Sequence, residues 1–521
     1  MRKLLLLSFL FLLATAVLTH LALAQPTPPN WQDKVDPWVL ERVSPPAFTA
    51  VNQPPQTEFL VTLTSQADLS GAAAIADKEA KGAYVYERLT AVARQTHPPV
   101  LQALHTAGAA YRSFWVTNMI WVRGDFDAVQ KMAQRPDVAY LHANPTVALR
   151  LPTLPLMVPH TAVATTPWNI NQVNAPAVWT MGITGQRVVI GGQDTGYDWN
   201  HEALINQYRG WDGVTADHNY NWHYSLPTNN TVCAVNLNEP CDDYFSSHGT
   251  HTMGTMVGND LDPLAPGWPI SATHPVGMAP GAQWIGCRNM NQGVGTPASY
   301  AECYEWFIAP YPLGGNPMSD GDPSKAPHVV NNSWGCPINE GCTQPTVLET
   351  VVNNVRAAGI VTVHSAGNSG PGCNSVNEPA TIYDASFSVG ATSLDDSIAG
   401  FSSRGPSSFD GRLKPDISAP GLAIRSTKRD DDYTVLSGTS MAAPHVAGLV
   451  ALLISADPTL AGNVDLIELI IQNSAVPQTT TEGCGGDSVT DVPNHTFGYG
   501  RVDALSAILD EKSYLPLALR N

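Results

Sequence analysis

Three short segments of this sequence carry residue types that, brought together, perform nucleophilic catalysis. Asp194 ends an apolar run, His248 opens a stretch of small residues, and Ser440 follows Gly438 at the start of a long apolar stretch. A serine hydroxyl is a poor nucleophile until a base takes its proton, and histidine suits that role because its ordinary pKa lies near neutrality. A carboxylate fixes the imidazole tautomer and stabilises the imidazolium. We therefore predict a triad in which Asp194 orients His248 and His248 activates Ser440.

The elements that must position these residues are predicted to be strands alternating with helices. Short apolar runs end in Gly, Asp, Asn or Ser, and helical stretches separate several of them, which is typical of βα units with a parallel sheet. The runs are Val188–Ile190, Trp284–Gly286, Val329–Val330, Ile360–Val363 and Phe387–Val389. In such sheets the chemistry gathers beyond the carboxyl ends of the strands, where Asp194 falls. Ser440 stands in the first turn of its helix, beside free backbone N–H groups and the positive end of the helix dipole.

Four motifs, in chain order, make the sequence resemble the subtilisin-like serine proteases of peptidase family S8. They are D-T-G at Asp194, H-G-T-H at His248, S-A-G-N ending at Asn368, and G-T-S-M-A-x-P around Ser440. The resemblance covers 168–508 and is closest in detail to the bacillopeptidase F-like enzymes, in segments 168–179, 287–290 and 330–336. It implies a serine endopeptidase with a three-layer α/β fold around a mostly parallel sheet, and no cofactor for the chemistry.

The resemblance also implies roles for residues outside the triad. Asn368 would donate its side-chain N–H to the oxyanion, together with the backbone N–H of Ser440. A peptide substrate would lie extended between two backbone segments, as an added strand. The residues that the resemblance assigns to substrate binding are Gly293, Val294, Gly295, Ser333, Trp334, Gly335, Ala366, Gly367 and Asn377.

The pocket for the side chain before the scissile bond would lie between 333–335 and 366–368. Asn377 stands where relatives often have Gly, so it would partly fill this pocket. Two interpretations of Glu378 stay open: it favours a basic substrate side chain, or it is a solvated residue at the rim.

The chain departs from the family pattern near the triad without losing a reacting group. Gln193 precedes the acid where an aliphatic residue is usual, and Ser247 replaces the common Gly before His248. A long insertion between Asp194 and His248 carries aromatic residues, which either widen the substrate cleft or fold into a surface loop with its own hydrophobic contacts. Its aromatic residues include Tyr208, Trp211, Tyr220, Trp222 and Tyr224.

Other kinds of active site fit the sequence less well. An aspartic protease needs two D-T-G motifs, and this chain has one. His248 and His251 have no H-E-x-x-H context for a metal, so we interpret His251 as structural. The segment at Ser440 lacks the last Gly of the G-x-S-x-G motif of esterases. A peptide-binding pseudoenzyme and an acyl-transfer enzyme remain alternatives on the same scaffold.

The N-terminus is predicted to be a cleaved signal peptide, residues 1–24, with an uncleaved membrane anchor as the alternative. A basic start, an apolar run from Leu4 to Leu18 and the small-residue motif Ala22-Leu23-Ala24 precede a Pro-rich stretch. We therefore expect a secreted protein, in which disulfide bonds are permitted.

The rest of the chain divides by composition into further predicted segments. Residues 25–56 read as a linker, and 57–150 carry strands and helices in the order β-α-β-α-β, closing with a strand at Val147–Leu149. This order is similar to the ferredoxin-like, I9-type inhibitory propeptide of the subtilisin-like enzymes. A connector with the maturation cleavage (151–167), a catalytic domain (168–511) and a C-terminal tail (512–521) would follow.

Charge limits the partners that the protein binds. The formal charge is -18, and the acidic excess lies after residue 150, since residues 25–150 hold equal numbers of acidic and basic residues. Binding to nucleic acid through a basic patch is therefore excluded. We expect protein or peptide substrates, the chain's own propeptide as inhibitor, no membrane contact after signal removal, and a monomer.

The eight cysteines all lie in the acidic part and suggest disulfide bonds between near neighbours, although the sequence does not fix the connectivity. Their spacing is wrong for zinc. Calcium is common in the resembled family, and the acidic clusters Asp242-Asp243 and 430–432 are either calcium sites or solvated acids. The suggested pairs are Cys233–Cys241, Cys287–Cys303, Cys336–Cys342 and, by elimination, Cys373–Cys484.

Overall fold

The computed structural model describes most of the chain. The predicted signal peptide (1–24), most of the predicted connector (151–167) and the end of the predicted tail (512–521) lie outside the described residues. The described residues are 30–44, 54–152, 166–225, 233, 236–259 and 276–514.

An antiparallel sheet with helices against it forms the N-terminal unit, by which we mean residues 30–44 and 54–146. Its elements are α1 (Pro37–Val43), β1 (Thr57–Leu63), α2 (Lys78–Thr106), β2 (Ala110–Phe114), β3 (Met119–Gly124), α3 (Phe126–Ala133) and β4 (Val138–Ala143). The strands lie in the order β2-β3-β1-β4, and each neighbouring pair is antiparallel. Phe59, Leu104 and Met132 meet in the apolar core that joins sheet and helices. This is the small α+β architecture that the sequence predicts, with ferredoxin-like topology.

One predicted strand of this unit is a hairpin. The predicted order β-α-β-α-β has one strand between its two helices, but the structure has two, β2 and β3, around a turn at 115–118. Asn118 closes the turn with a φ of 45°, in the left-handed region that Asn tolerates better than most residues. The apolar composition of the turn, which includes a buried Trp115, hid the chain reversal from a reading of the sequence.

The predicted linker 25–56 is also partly ordered. It contains a 3-10 helix, Trp31–Lys34, and then α1. Asp36 caps α1 by accepting a hydrogen bond from the backbone N–H of Trp38 at 2.9 Å, and a proline at the first helical position is compatible with the missing donor. Val39 and Val43 of α1 are fully buried against the sheet. The linker prediction is therefore wrong for this stretch, because a seven-residue helix is too short to give a clear periodic pattern.

A seven-stranded parallel sheet organises the C-terminal unit, residues 166–514. One strand, β5 (Val147–Ala148), lies between the two units. The strands of the C-terminal unit are β6 (Val189–Asp194), β7 (Trp222–Tyr224), β8 (Gln283–Arg288), β9 (Val294–Gly295), β10 (Val329–Asn332), β11 (Val361–Ser365), β12 (Phe387–Thr392), β13 (Ile417–Pro420), β14 (Ile424–Lys428) and β15 (Asp432–Leu436). The helices are α4 (Trp168–Gln172), α5 (Ala175–Trp179), α6 (His248–Val257), α7 (Pro297–Ile308), α8 (Glu349–Ala357), α9 (Thr439–Ala456), α10 (Val464–Asn473) and α11 (Ala504–Tyr514).

The strand order of this sheet reverses direction at β6, which is an inner strand. The order is β13-β12-β11-β10-β6-β8-β7, and every neighbouring pair is parallel. The chain leaves β6 towards β8 on one side and later returns to build β10 to β13 on the other. Ligands of open α/β sheets bind at such a reversal, beyond the carboxyl ends of the strands. Asp194 is the last residue of β6. The α/β architecture is the one that the sequence predicts.

The helix α9 runs through the core of the C-terminal unit. It is apolar on every side, packs against α6 and against β10 to β13, and is 89% buried. Among the described residues it is the one helix long and apolar enough to cross a membrane, but a helix that is hydrophobic all round is also typical of a protein core. Its rigid surroundings fix the position of Ser440 in its first turn.

The insertion between Asp194 and His248 packs onto the sheet. Its strand β7 pairs with β8 at the edge, Trp222 is buried, and the ring of Tyr208 lies 4.6 Å from that of Trp284. Within the insertion, the ring of Trp199 lies 5.9 Å from that of Trp211, and these aromatic residues do not line the cavity that contains Ser440. The aromatic residues thus pack on one another and on the sheet, which favours the surface-loop interpretation over a widened cleft.

The two units share a continuous interface. One apolar cluster contains Trp115 of the N-terminal unit and Trp306 of α7. The carboxylate of Glu305 on α7 accepts hydrogen bonds from the backbone N–H groups of Trp115 at 2.5 Å and Val116 at 3.0 Å. Burial, with the nearby charge of Glu302 as a smaller cause, raises the pKa of Glu305 to about 8. A protonated Glu305 therefore suits this interface.

All eight cysteines form disulfide bonds, and the four suggested pairs are confirmed. The bonds are Cys233–Cys241, Cys287–Cys303, Cys336–Cys342 and Cys373–Cys484.

Candidate active site

The carboxylate of Asp194 holds the imidazole of His248. Its Oδ1 lies 2.7 Å from Nδ1 of His248 and also accepts the backbone N–H of Thr195 at 2.7 Å. Both side chains are buried, with exposures of 1% and 0%. His248 is the first residue of α6, and Ser247 before it takes the left-handed conformation at a φ of 53°, which explains why Gly is common there. The Nε2 of His248 has no hydrogen-bond partner among the described residues and is therefore free to take a proton.

Ser440 lies at the N-terminus of α9, which packs directly against the histidine helix α6. Gly438 before it has φ 156° and ψ 161°, a backbone conformation that is essentially restricted to glycine. The Oγ of Ser440 donates a hydrogen bond to the carbonyl oxygen of Ser333 at 3.3 Å, and not to His248. Asp194 and His248 are thus in contact, and the proton transfer between Ser440 and His248 stays a prediction.

Gln193 has a polar role that explains its departure from an aliphatic residue. It is fully buried one residue before Asp194. Its amide nitrogen donates to Oδ1 of Asn332 at 2.6 Å, and its amide oxygen accepts from Asn289 at 3.0 Å. Since buried amides need partners, this chain of side chains ties together the strand ends beside the site.

The two ends of the Asn368 side chain have different partners. Its Oδ1 accepts hydrogen bonds from the backbone N–H of Thr439 at 2.9 Å and from the Thr439 hydroxyl at 3.0 Å. The amide orientation is thereby fixed, and Nδ2 points the other way. Nδ2 donates to the carbonyl oxygen of Arg150 at 3.5 Å. Asn368 thus offers a donor to a peptide carbonyl, as expected of an oxyanion-binding residue.

The carbonyl group of Arg150 belongs to the cleft segment, by which we mean residues 147–152. Its strand β5 was expected to close the sheet of the N-terminal unit, but it pairs antiparallel with β9 of the C-terminal unit. The backbone N–H of Leu149 extends the pairing by donating to the carbonyl of Gly293 at 2.7 Å. The predicted strand is present, and its partner differs because β4 already occupies the sheet edge next to β1.

Most of the residues predicted for substrate binding surround this segment. The predicted residues 293–295 contact it through β9, and Ser333, Trp334, Gly335 and Gly367 line a cavity of about 220 Å³ with Asn368, Ser440 and the cleft segment. Ala366 and Asn377 are not among the residues that line this cavity, and Glu378 stands at the place predicted for Asn377.

Two charged residues of the cavity, Arg150 and Glu340, were not among the predicted site residues. Arg150 extends from the cleft segment, and its Nη2 lies 2.5 Å from Oε1 of Glu340. The other oxygen of Glu340 accepts the backbone N–H of Ala148 at 2.9 Å. Glu340 lies between Cys336 and Cys342, so the only signal in the sequence was an acid in the loop that follows the Ser-Trp-Gly segment.

The cavity has a negative electrostatic character. Burial, and to a smaller degree the charge of Glu340, raises the pKa of Glu378 to about 7. Two carboxylates thus border one cavity, and the charge of Glu340 disfavours the charged form of Glu378. A cation in the cavity would offset this repulsion.

His251 has the contacts of a structural residue and not those expected of a metal ligand. His251 is buried, contacts the carbonyl oxygen of Ile424 at 3.0 Å through Nε2, and has its pKa lowered to about 3 by burial. It fits the predicted structural role.

The acidic clusters that were interpreted either as calcium sites or as solvated acids make contacts within the protein. Asp242 accepts hydrogen bonds from Thr195 and Thr250, and Asp243 forms an ion pair with Arg288 at 2.5 Å. Asp432 pairs with Lys428. Within the described part of the chain, no group of three or more His, Cys, Asp or Glu side chains could hold a metal ion. These contacts favour the interpretation of Asp242, Asp243 and Asp432 as acids that pair within the protein.

The fold and the site define a class of protein. Residues 185–500 match the model of peptidase S8, the subtilase family, and the chain belongs to this family of serine-type endopeptidases. Members need no cofactor for catalysis.

Individual relatives differ in how much of their length the chain matches. The chain is 35% identical over 491 residues to bacillopeptidase F of Bacillus subtilis (strain 168), a match that covers 87% of this chain but 32% of that relative. It is 30% identical over 357 residues to subtilisin E of the same organism, covering 68% of this chain and 74% of the relative. M-protease of Shouchella clausii (strain KSM-K16) is 30% identical over 302 residues, 57% of this chain and 62% of the relative. The chain thus spans about a third of the length of bacillopeptidase F.

Proposed function

We propose that this chain is an exported serine endopeptidase, made as a zymogen that cuts itself. The observation that carries the proposal is the cleft segment, which lies across the candidate site as a peptide substrate would. Asn368 donates to its Arg150 carbonyl, and Ser440 lines the same cavity. The apolar N-terminus of the sequence and the four disulfide bonds support export.

The proposed reaction proceeds through an acyl-enzyme. The Oγ of Ser440 attacks the carbonyl carbon while Nε2 of His248 takes its proton, and Asp194 stabilises the imidazolium. The negative oxygen receives hydrogen bonds from Nδ2 of Asn368 and the backbone N–H of Ser440. The C–N bond breaks as His248 passes the proton to the leaving amine. Water then attacks the acyl-enzyme with His248 as base, which releases the carboxylic acid and restores the hydroxyl of Ser440.

The N-terminal unit would act as an intramolecular inhibitor. Antiparallel pairing of β5 with β9 occupies the backbone positions that another substrate needs. The interface around Glu305 anchors the unit on α7 and keeps the cleft segment in place. Proteolysis of other proteins therefore has to wait for the release of this unit.

The decisive experiment compares wild type with Ser440→Ala during export. We expect wild type to shorten by the N-terminal unit and Ser440→Ala to lose the signal peptide alone, because the variant has no nucleophile. Wild type should also be labelled and inhibited by a phosphonylating serine reagent and keep its activity with a zinc chelator. Equal processing of both chains, or labelling of Ser440→Ala as fast as wild type, would contradict the proposal.

A further inference from the structure

We propose that the cleft selects an arginine before the scissile bond, through Glu340 and Glu378, and that Arg150–Leu151 is the first bond cut. This inference rests on the proposed endopeptidase function and adds the substrate class. It makes peptides with a guanidinium side chain at this position the preferred substrates.

The backbone register identifies the bond. The pairing of Val147 with Gly295 and of Ala148 with Val294 continues to Leu149, and the next carbonyl is that of Arg150. That carbonyl accepts the hydrogen bond from Asn368 that is expected to stabilise the oxyanion. Leu151 and Pro152 line the same cavity on the far side of the bond, beside Ser440. The carbonyl to be attacked is therefore that of Arg150, and the leaving amine is that of Leu151.

Glu340 contacts both the side chain and the backbone of the segment. One of its oxygens lies 2.5 Å from the guanidinium of Arg150, and the other accepts the N–H of Ala148, two residues earlier. The carboxylate is only 12% exposed, so its partners are fixed within the cleft. Glu340 therefore contacts both the backbone of the bound segment and the charged side chain of the residue before the scissile bond.

Glu378 provides the second negative group. A Cβ on Gly335 would overlap its carboxylate, so the glycine leaves the space in which this carboxylate stands. Of the residues that line the cavity in the described structure, Arg150, Glu340 and Glu378 are the charged ones. Burial, and to a smaller degree the charge of Glu340, raises the pKa of Glu378. A guanidinium in the cavity would offset the repulsion between the two acids.

The exposure of Arg150 limits how much its ion pair with Glu340 contributes to substrate selectivity. Its side chain is 73% exposed, so the ion pair with Glu340 is partly screened by water. Pairs of this kind contribute modestly, and we expect each carboxylate to change selectivity by about fivefold. Lysine should be a weaker substrate than arginine, since the ammonium lacks the planar fork that meets carboxylates with two N–H groups.

The first test uses mature enzyme and peptides Val-Ala-Leu-Xaa-Leu-Pro, which copy residues 147–152. Xaa is arginine, lysine, leucine or citrulline, the neutral isostere of arginine. We expect kcat/KM to favour arginine over citrulline by about tenfold or more in wild type. Glu340→Gln should reduce the ratio about fivefold, and the Glu340→Gln, Glu378→Gln double variant should abolish it. Glu202→Gln, an exposed acid away from this cavity, is the matched control and should keep the wild-type ratio.

The outcomes separate this inference from the proposed function. If wild type hydrolyses the leucine or citrulline peptide as well as the arginine peptide, the selectivity is absent and the endopeptidase function stands. An arginine preference that survives in the double variant would also overturn the inference. If no peptide is cut and no serine reagent reacts, the proposed function itself fails.

The second test uses the full chain. The new N-terminus that appears first should be Leu151. Arg150→Gln should slow the self-cleavage about fivefold, Arg150→Lys should fall between, and Arg123→Gln, an exposed arginine on β3, should leave it unchanged. A first cut elsewhere, or equal rates for Arg150→Gln and wild type, would contradict the assignment.

Discussion

The two ends of the Asn368 side chain make separate contacts, and only one of them faces the substrate position. Its oxygen is engaged by Thr439 and its nitrogen faces the peptide carbonyl. Removal of one oxyanion donor typically lowers kcat by about 10²–10³-fold, since the donor stabilises a charge that develops only in the transition state. We expect Asn368→Ala to lower kcat of the mature enzyme by this factor with little change in KM, as measured by steady-state hydrolysis of the arginine peptide.

A matched control tests whether this loss is specific. Asn171→Ala removes an exposed asparagine whose side chain donates to the carbonyl of Thr166 and does not line the cavity. It should keep wild-type kcat. A rise in KM with unchanged kcat in Asn368→Ala would show that the side chain binds substrate without stabilising the oxyanion.

The reacting residues could be predicted from the sequence, whereas the selecting residues could not. Asp194, His248, Ser440 and Asn368 each stand in a local motif at the end of a strand or the start of a helix, so short-range patterns suffice. Glu340 contacts Arg150 across 190 positions of the chain, and no local pattern reports such a contact. Glu378 was recognised, but its role depends on a cavity that only the folded chain has.

At the scale of elements, the turn before α9 determines where the nucleophile stands. Gly438 has a backbone conformation that costs other residues about 1–3 kcal/mol. An added Cβ would meet only ordinary contacts, so Gly438→Ala should fold and relax by shifting the first turn of α9. We expect a small fall in Tm together with a loss of kcat of at least about tenfold, because small displacements of a reacting atom are costly.

Gly182→Ala is the control for backbone strain alone. Gly182 has a φ of 80°, is exposed, and has open space where a Cβ would stand. It should lower Tm to a similar degree and leave kcat unchanged. If the two variants lose activity in the same proportion as stability, the turn has no special part in positioning Ser440.

The strands of the parallel sheet could be predicted where several consecutive residues are apolar. The five apolar runs correspond to β6, β8, β10, β11 and β12, since strands of a parallel sheet are buried on both faces. The strands β7 and β13 were missed: β7 has three residues and β13 ends in a proline. The partner of β5 could not be read from the sequence, because pairing between distant strands leaves no local trace.

At the scale of the whole molecule, the interface between the two units should respond to pH. The pKa of Glu305 is raised to about 8 at the interface, and it would return towards its ordinary value of 4.5 once α7 is exposed to water. The docked state therefore holds a proton that the released state loses, and docking weakens as pH rises from about 4.5 to about 8. We expect the lag before wild-type enzyme hydrolyses added peptide to shorten over this range.

Glu305→Gln provides the comparison, since glutamine stays neutral at every pH. Its lag should be longer than that of wild type near pH 8 and should depend less on pH. Glu302, Arg112 and His223 lie at the same interface and remain in both proteins, so they do not distinguish the variant from wild type. A lag that lengthens with rising pH, or an equal slope for both proteins, would contradict this account.

The bond between Cys336 and Cys342 closes a small ring that carries Glu340 and contains no residue of the triad. In the proposed selection of arginine, the residues that would hydrolyse the peptide bond and the carboxylate that would select the substrate thus lie in separate parts of the chain. A molecule folded in a reducing compartment would keep its hydrolytic residues, while the carboxylate that checks the guanidinium would stand on an untethered loop. The proposed selectivity would then depend on the oxidation of this cysteine pair.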